Sequence, residues 1–335
     1  MKEGERRTGS SVSVVVPTYR RPEALVRCLG GIQGQTRPPE DVVVVCHRSD
    51  PETVEAVHAF GSVGRRGARA RVVTVDERSV RAAMNAGVMA AGADILVFTD
   101  DDARPHDDWI QRLVTAYADP SVGAVGGRDV IYQHGGVEEG FANVVGRVRW
   151  YGRVDGNHHL GTGAPREVDV LKGVNLSLRR ALWAVDSRLR GTGAEPHWEL
   201  ELTLKIGWLG WRVVYDPEAV VDHFVAPRMQ ERQRDDVSPA YVCASAHNET
   251  YALLKWSPLI RVPIVLAYGI LVGSRMAPGV AAAARRLRRG DGRGRVFVDL
   301  RAALAGRLLA VGSFASAVGE RRAFAAGRAY AHPPT

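Results

Sequence analysis

Three consecutive aspartates, Asp100, Asp101 and Asp102, are the residues of this sequence that most clearly predict chemistry. They directly follow the apolar run DILVFT at 94–99, which is typical of a buried strand. If the chain stays extended, Asp100 and Asp102 point to one side and Asp101 to the other. Two neighbouring carboxylates repel each other, and a hard divalent cation such as Mg²⁺ or Mn²⁺ would neutralise them and could bridge a diphosphate. The alternative is a solvated acidic turn before a helix that begins near Pro105.

Apolar strand patterns alternate with helical patterns around these aspartates. Strands are predicted at 11–16, 42–46, 71–75, 94–99 and 121–127. Helices are predicted from Pro22, at 51–60 and at 80–91. This order predicts an α/β fold with a mostly parallel sheet and helices on both faces. Ligands bind beyond the carboxyl ends of such strands, where PTYRR at 17–21, Asp76 and the three aspartates are expected.

The second half of the chain has two different patterns. Residues 133–167 are rich in Gly and His without a clean period, which predicts a long loop or a mobile flap. After them come a short strand and helix within 170–180, a helix from Pro196 to Leu209, and strand-like runs at 211–217 and 219–224. Beyond residue 238 the sequence predicts successive helices rich in Ala, Arg, Leu and Val. We therefore predict a disordered N-terminus at 1–10, an α/β domain at 11–235 and a helical basic region at 236–330.

Composition excludes several classes of protein. The 335 residues are 45% apolar and 24% charged, unlike a disordered or collagen-like chain. The net charge of +8 favours anionic partners such as nucleotides, phosphorylated lipids or an acidic membrane. The three cysteines are scattered and lack C-x-x-C spacing, which supports neither a disulfide framework nor a zinc knuckle and fits a reducing compartment. The arginine runs lack interleaved aromatic residues, so a nucleic-acid partner is not expected.

Several motifs together resemble the family-two glycosyltransferases. These are VVVPTYRRP at 14–22, VRAAMNAGVMAAGADILVFTDDDARPHDDW at 80–109 and GWLGWRVVYDPEAVVDH at 207–223. They occur in the family's order over roughly residues 10 to 225. The resemblance implies a GT-A fold and metal-assisted transfer of a sugar from a nucleotide-diphosphate sugar to an acceptor hydroxyl, with inversion. No Gln-x-x-Arg-Trp motif follows, which favours addition of a single sugar over polymerisation.

The resemblance also implies residue roles on the donor side. Pro17, Thr18 and Arg20 match the motif that cradles the nucleoside and its phosphate. Asp100 and Asp102 match the D-x-D pair, in which Asp100 reaches the ribose or the metal and Asp102 ligates the metal. Asp101 lies between them and is also expected to contribute to donor binding.

Two further segments match motifs near the reacting groups. His223 occupies a position often found near the diphosphate or metal, although a histidine at a strand end is also common as a structural residue. The segment Gly173, Val174 and Asn175 matches the lining of the transferred sugar and the acceptor.

The catalytic base is assigned by counting back from Gly210 and Trp211, which places the family's acidic motif on residues 198–202. The base position is then Glu199, which would take a proton from the acceptor hydroxyl. Glu201 lies about 200° around the helix from it and has Lys205 four residues on, which predicts a surface pair and a structural role. Because the same motif covers it, Glu201 stays a candidate on the acceptor side. The alternative for Glu199 is an exposed first-turn carboxylate favoured by the helix dipole.

The sequence departs from the family pattern at two donor positions. The second strand ends in Cys46, where the family usually has an aspartate that recognises the nucleobase. Asp50 is therefore a candidate for holding the nucleobase, and Asp76 is a further candidate for nucleotide binding. The third helix has Met84 where an arginine is usual; Arg81 one turn earlier is the candidate replacement and Asn85 keeps the family's residue. These departures keep an inactive, nucleotide-sugar-binding homologue open as an alternative, and a sugar nucleotidyltransferase is a second one.

The C-terminal region combines apolar and basic segments. VPIVLAYGILVG at 262–273 is too short to span a bilayer comfortably, and ARRLRRGDGRGR at 284–295 is strongly basic. Such a surface suits an acidic membrane, which predicts a peripheral protein on the cytoplasmic membrane face. The polar N-terminus lacks the apolar core of a secretory signal, which fits a cytoplasmic protein. The acceptor could be lipid-linked, a saccharide or a small molecule. The alternative is a helical appendage that packs on the sheet domain or on a second subunit in a homodimer.

Overall fold

The computed structural model describes residues 10–63, 70–133, 135–191, 193, 195–225, 232–233 and 236–325. The predicted disordered N-terminus lies outside these residues except for Ser10. The strands of the described part are β1 Val12–Pro17, β2 Asp41–His47, β3 Arg71–Val75, β4 Ile95–Phe98, β5 Ala103–Pro105, β6 Val122–Gln133, β7 Gly136–Val137, β8 Arg147–Val148, β9 Val154–Asp155, β10 Arg166–Glu167, β11 Leu176–Arg179, β12 Arg212–Phe224, β13 Arg232–Gln233 and β14 Asp236–Val237. The helices are α1 Pro22–Gln33, α2 Pro51–Phe60, α3 Val80–Ala90, α4 Trp109–Thr115, α5 Trp198–Trp208, α6 Pro239–Trp256, α7 Val262–Leu271, α8 Val280–Arg288 and α9 Arg293–Ala325.

One large sheet organises the first two thirds of the chain. Its order is β10-β12-β6-β11-β4-β1-β2-β3, with β5 paired to β12 and β7 to β6. Strands β3, β2, β1 and β4 are parallel, β11 runs antiparallel between β4 and β6, and β12 is parallel to β6. The predicted α/β class with a mostly parallel sheet is confirmed.

The valine-rich strands explain why helices cover both faces. Side chains alternate along a strand, so Val14 and Val16 of β1 face the layer of α1, α2 and α4, whereas Val15 faces the layer of α3 and α5. All three valines are fully buried, as expected for a central strand that is covered on both sides.

One glycine allows the third helix to approach the sheet closely. A Cβ at Gly87 of α3 would lie 2.4 Å from Cγ1 of Val15, well inside van der Waals contact. The resulting close packing holds the N-terminal end of α3 beside the carboxyl ends of β1 and β2.

The structure differs from the sequence prediction in the middle of the chain. The runs predicted as two strands at 211–217 and 219–224 form the single strand β12, whose register against β6 shifts between Asp216 and Val220. Asp216 Oδ1 accepts a hydrogen bond from the Glu218 amide and stabilises this irregularity. The helix predicted before residue 180 is a single 3-10 turn at Arg180–Leu182. Residues 133–167, predicted as a loop, contain the short strands β7 to β10.

The C-terminal helices pack directly on the sheet domain. Helix α6 lies between α5 and α9, and 14 of its 18 residues are buried. Lys255 of α6 is 2% exposed and pairs with Asp186, while Trp256 Nε1 donates to Glu201 of α5 at 2.9 Å. On the opposite side of α6, Ala303 and Ala310 of α9 are fully buried. This buried, polar interface ties the helical region to the domain that carries the predicted site.

Candidate active site

A cavity of about 450 Å³ opens beyond the carboxyl ends of β1, β2 and β4. Its walls come from the loops that follow these strands, the N-terminal ends of α3 and α5, and the first two turns of α6. The predicted site residues that line it are Pro17, Thr18, Asp100, Asp101, Gly173, Val174, Glu199 and His223. The position agrees with the rule that parallel sheets bind ligands at this edge.

The three aspartates separate into two environments where the chain turns after β4. Asp101 is fully buried and accepts a hydrogen bond from Thr18 Oγ1 at 2.7 Å, with Arg21 Nη2 at 2.9 Å from its other oxygen. Burial raises the pKa of Asp101 to about 7, although Arg21 opposes the shift. Asp101 therefore anchors the first loop from beneath the cavity. The Ala103 amide donates to the Asp100 carbonyl at 3.1 Å, so residues 100–103 form a turn and not the extended segment assumed from the sequence, yet Asp100 and Asp102 still offer ligand atoms to one site.

Asp100, Asp102 and His223 form a candidate cation site. Each offers one ligand atom, and the three atoms lie within 4.8 Å of one another. Two carboxylates and an imidazole suit Mg²⁺ or Mn²⁺, so the donor set fits a divalent cation. Arg21 Nη1 lies 3.0 Å from Asp102 Oδ2 and already offsets part of the negative charge.

A second layer of charged residues supports His223. Its Nε2 lies 3.4 Å from Asp102 Oδ1, and its Nδ1 lies 3.9 Å from Asp129 Oδ2. Burial alone would lower the pKa of His223, but the two carboxylates raise it to about 9. Lys172, which also lines the cavity, donates to the fully buried Asp129; burial would raise the pKa of Asp129, but Lys172 holds it at about 2. This chain of contacts connects the end of β12 to the floor of the cavity.

Glu199 lies in the first turn of α5 and faces the same cavity as Asp100. Burial raises the pKa of Glu199 and the charge of Asp100 adds to this shift, whereas His197 opposes it. A carboxyl group with a raised pKa accepts a proton more readily, which suits a general base. Glu199 is therefore not the exposed first-turn carboxylate of the alternative prediction.

The start of α5 is held by the C-terminal helical region. His197 precedes the helix in the left-handed conformation, with φ 64°, and its Nε2 lies 2.9 Å from Ser245 Oγ of α6. Ser245, Tyr241 and Met276 also line the cavity. The helical region thus completes one wall of the site.

The first loop uses a different arginine from the one that the sequence predicted. Arg20 is exposed and adopts a left-handed φ of 53°, which turns its side chain to the Tyr19 ring, 5.2 Å away, and out of the cavity lining. Arg21, the next residue, lines the cavity and pairs with Asp101 and Asp102. A left-handed residue reverses the direction of the chain locally, so adjacent arginines point to different sides.

Asp50 and Asp76 do not line the cavity. Asp50 is 3% exposed, caps α2 by accepting from the Thr53 amide, and accepts from the Arg20 amide at 2.5 Å. The side chain of Asp76 is 74% exposed and pairs with Arg48, which lowers its pKa. Both carboxylates hold loops, and their role as nucleotide contacts stays a prediction.

Arg81 and Asn85 are also absent from the cavity lining. The Arg81 amide donates to Glu195 Oε2 at 3.2 Å and its guanidinium lies 3.7 Å from Glu77. Asn85 Oδ1 accepts from Trp183 Nε1 at 2.9 Å. These contacts tie α3 to the residues before it and to the loops at 183 and 195, and the role of Arg81 and Asn85 as donor contacts stays a prediction.

Of the four residues predicted on the acceptor side, Gly173 and Val174 line the cavity, whereas Asn175 and Glu201 do not. Asn175 is fully buried; its Oδ1 accepts from Trp109 Nε1 at 2.8 Å and its amide donates to two main-chain carbonyls. Glu201 is also fully buried beneath α6, so the predicted surface pair with Lys205 is wrong: both side chains lie in the interior. The structural role expected for Glu201 is the one that its contacts support.

Sequence reasoning missed several cavity residues. Besides Arg21, these are Tyr19, Arg78, Lys172, His197 and Ser245. Tyr19 and Lys172 are immediate neighbours of motif residues, which is the local signal that could have identified them. His197 and Ser245 come together only because α6 packs on α5.

Comparisons with known proteins identify what the chain resembles. Residues 13–177 match the family model described as Glycosyl transferase family 2. A stretch of 129 residues is 32% identical to Glycosyltransferase AglE of Haloferax volcanii, covering 37% of this chain and 41% of that protein. Another of 116 residues is 33% identical to Validoxylamine A glucosyltransferase of Streptomyces hygroscopicus subsp. limoneus, covering 33% of this chain and 24% of that protein. The matches thus span less than half of the length of these curated relatives.

Two solved structures share the fold over most of the chain. One is the mannosyltransferase PcManGT from Pyrobaculum calidifontis in complex with GDP-Man and Mn²⁺, with a TM-score of 0.55, 22% identity, and coverage of 96% of this chain and 88% of that chain. The other is GalNAc-T7 with UDP, GalNAc and Mn²⁺, with a TM-score of 0.59, 13% identity, and coverage of 87% and 56%. At these identities the likeness shows the fold alone, which is the predicted GT-A type.

Proposed function

We propose that this chain, whose residues 13–177 match the model of glycosyl transferase family 2, transfers one sugar from a nucleotide-diphosphate sugar to an acceptor hydroxyl, with inversion. The observation that carries the proposal is that Glu199, Asp100 and His223 line one cavity, and that Asp102 offers a ligand atom within 4.8 Å of those of Asp100 and His223. A base and a candidate cation site in one cavity are the two elements that such a transfer requires.

The donor end of the cavity suits a nucleoside diphosphate. Tyr19 and His47 supply an aromatic wall, with ring centroids 5.8 Å apart, and Arg78 lies 5.5 Å from the Tyr19 ring. Asp100, Asp102 and His223 would hold the divalent cation, which supplies positive charge for the departing diphosphate. Arg21 and Lys172 add fixed positive charge in the same cavity.

Glu199 is the proposed general base. Its carboxylate would accept the proton of the acceptor hydroxyl while that oxygen attacks the anomeric carbon from the face opposite the diphosphate. The raised pKa of Glu199 makes its carboxylate a stronger base than an exposed one. A single base acting on the acceptor implies inversion, because the nucleophile displaces the diphosphate in one step.

Binding and turnover can be tested in one series. Thermal stabilisation is measured with UDP, GDP, dTDP and CDP, each with and without Mn²⁺, for the wild type, Asp102→Asn and the control Asp119→Asn. Asp119 is an exposed carboxylate that pairs with Arg212 outside the cavity lining. Stabilisation by one diphosphate that needs Mn²⁺, persists in Asp119→Asn and is lost in Asp102→Asn supports the donor site. Absence of stabilisation in folded wild-type protein contradicts it.

Turnover with the matching sugar nucleotide then separates the alternatives. Release of the diphosphate with an inverted, singly glycosylated product, measured by NMR and mass spectrometry, supports the transferase. Binding without turnover supports the inactive homologue, for which Cys46 and Met84 in the cavity wall are the relevant departures.

A further inference from the structure

The net positive charge of the protein comes from one segment. Residues 259–311, here called the basic apolar segment, contain ten arginines, two aspartates and no lysine or glutamate. Their excess of eight positive charges equals the net charge of the whole chain, so the other 35 basic residues are balanced by 35 acidic ones. A charge that is localised in this way marks a surface for an anionic partner.

Most of these arginines face solvent. Arg286 and Arg295 pair with Asp299, and Arg307 is 3% exposed and donates to main-chain carbonyls at 277 and 278. The exposed members are Arg261, Arg275, Arg285, Arg288, Arg289, Arg293 and Arg301.

The same segment exposes large apolar side chains. Among the described residues, ten of the sixteen exposed large hydrophobic side chains belong to it. Ile260 is 90% exposed, Leu308 74%, Phe297 58% and Leu271 57%. Scattered apolar residues are normal on a protein surface, but this density beside arginines indicates an interaction surface.

Helix α9 has two distinct faces. Small residues pack on α6: Ala303 is fully buried, and a Cβ at Gly306 would lie 2.2 Å from the Cys243 carbonyl oxygen. The outer face carries Phe297, Leu304 and Leu308 at helical spacing. Within the described residues α9 is also the one helix long and apolar enough to cross a bilayer by length and composition, over Arg293–Ala323.

We propose that the basic apolar segment docks on the surface of a bilayer that contains anionic phospholipids. Apolar side chains enter the headgroup region while the exposed arginines meet lipid phosphates. A second copy of the chain is a poorer partner for the same surface, because it would bring two segments of eight positive charges together.

The packing of α9 favours lying on the bilayer over crossing it. The inner face of α9 is bound to α6, which is in turn buried against α5 through charged residues such as Lys255. Crossing would detach α9 and expose this interface. The docked surface also borders the cavity, since Met276 lines the cavity and the neighbouring Arg275 is exposed.

Vesicle flotation tests the proposal independently of any sugar transfer. The full chain is mixed with vesicles of phosphatidylcholine alone or with phosphatidylglycerol, at low and at molar salt. We expect binding to the anionic vesicles at low salt, loss at high salt, and a weakening of about fivefold for each arginine neutralised in Arg288→Gln and Arg289→Gln. Leu308→Glu should also weaken binding to the anionic vesicles, because it places a charge on the exposed apolar face of α9.

The control is Met89→Glu, which places the same charge on an 80% exposed apolar residue of α3, outside the segment. It should bind like the wild type, and melting curves should show all variants folded. Equal partition of the wild type with and without phosphatidylglycerol, or equal loss in Met89→Glu, would overturn the proposal. So would a dimer in light scattering that Leu308→Glu dissociates while vesicles bind neither protein, since the second copy would then be the partner.

Discussion

Replacing Glu199 by glutamine separates chemistry from stability, because Glu201 on the same helix is a matched control. Glu199 faces the cavity, whereas Glu201 is fully buried and accepts a 2.9 Å hydrogen bond from Trp256. Glutamine keeps the size of either side chain and removes its charge. General base catalysis typically contributes about 10²–10⁴-fold, so Glu199→Gln should lower kcat by that factor and leave the affinity for the nucleoside diphosphate unchanged.

For stability the order is reversed: Glu201→Gln should destabilise the protein, whereas Glu199→Gln should not. Glu201→Gln weakens a buried hydrogen bond to a charged acceptor and removes the partner 3.5 Å from Lys255, which should cost about 1.5–3 kcal/mol. Glu199 has a pKa raised by burial, so its ionised form is disfavoured in the folded state. Glu199→Gln should therefore melt at or above the wild-type temperature near neutral pH.

The pH dependence follows from the same pKa shift. The folded protein holds the Glu199 proton more tightly than the unfolded chain, so this residue's contribution to stability falls as pH rises from about 4.5 through its folded pKa. Activity should change in the opposite direction, because a base works only when deprotonated: kcat/KM should fall as pH drops through that raised pKa. Glu199→Gln should remove both effects.

Steady-state kinetics, nucleotide titration and thermal melting over pH measure all of these quantities. A Glu199→Gln variant that keeps more than about a tenth of wild-type kcat would refute the assignment of the base. A loss of kcat in folded Glu201→Gln as large as in Glu199→Gln would refute the separation of roles.

Three further outcomes are expected. Gly87→Ala should destabilise the protein by about 1–3 kcal/mol in denaturant melts, since its Cβ would lie 2.4 Å from β1, whereas Gly30→Ala in α1, with nothing within 4 Å, should be neutral or stabilising; equal effects would contradict the close packing. Ser245→Ala removes the contact to the imidazole before α5 and should lower kcat by about tenfold with little change in melting temperature, so an unchanged kcat would show that the contact does not position the base. Lys255→Met removes the buried cation of Asp186 but leaves Arg188 Nη1 3.0 Å from it, so it should cost about 1.5–3 kcal/mol at neutral pH. The pKa of Asp186 is lowered to about 2, so this contribution is present above pH 3.8 and lost as pH falls through 2, and a loss unaffected by acidification would contradict the pairing.

Local sequence patterns were sufficient to predict most strands and helices of the sheet domain. Continuous valine runs such as 42–46 indicate strands that are buried on both faces, and the boundaries of α2 and β3 agree with the predictions. The predictions were poorest where pairing is irregular. Strand β12 was divided into two because Pro217 interrupts its apolar run, while its register shift keeps the pairing with β6 across that interruption.

Within the site, the sequence determined which segments would meet but not which side chains would face the cavity. Parallel strands bring the motifs after β1 and β4 and at the end of β12 to one edge, so Thr18, Asp100 and His223 could be identified as neighbours. The sequence alone could not choose between Arg20 and Arg21, since that choice depends on one left-handed residue.

Only the tertiary structure decided the roles of the two glutamates in α5 and the origin of the cavity's last wall. Glu199 and Glu201 differ because α6 covers one side of α5, and His197 is held by Ser245, 48 residues away along the chain. Such contacts between distant segments leave no periodic signal in a single sequence, whereas the alternation of strands and helices and the concentration of arginines in 259–311 can be read directly from it.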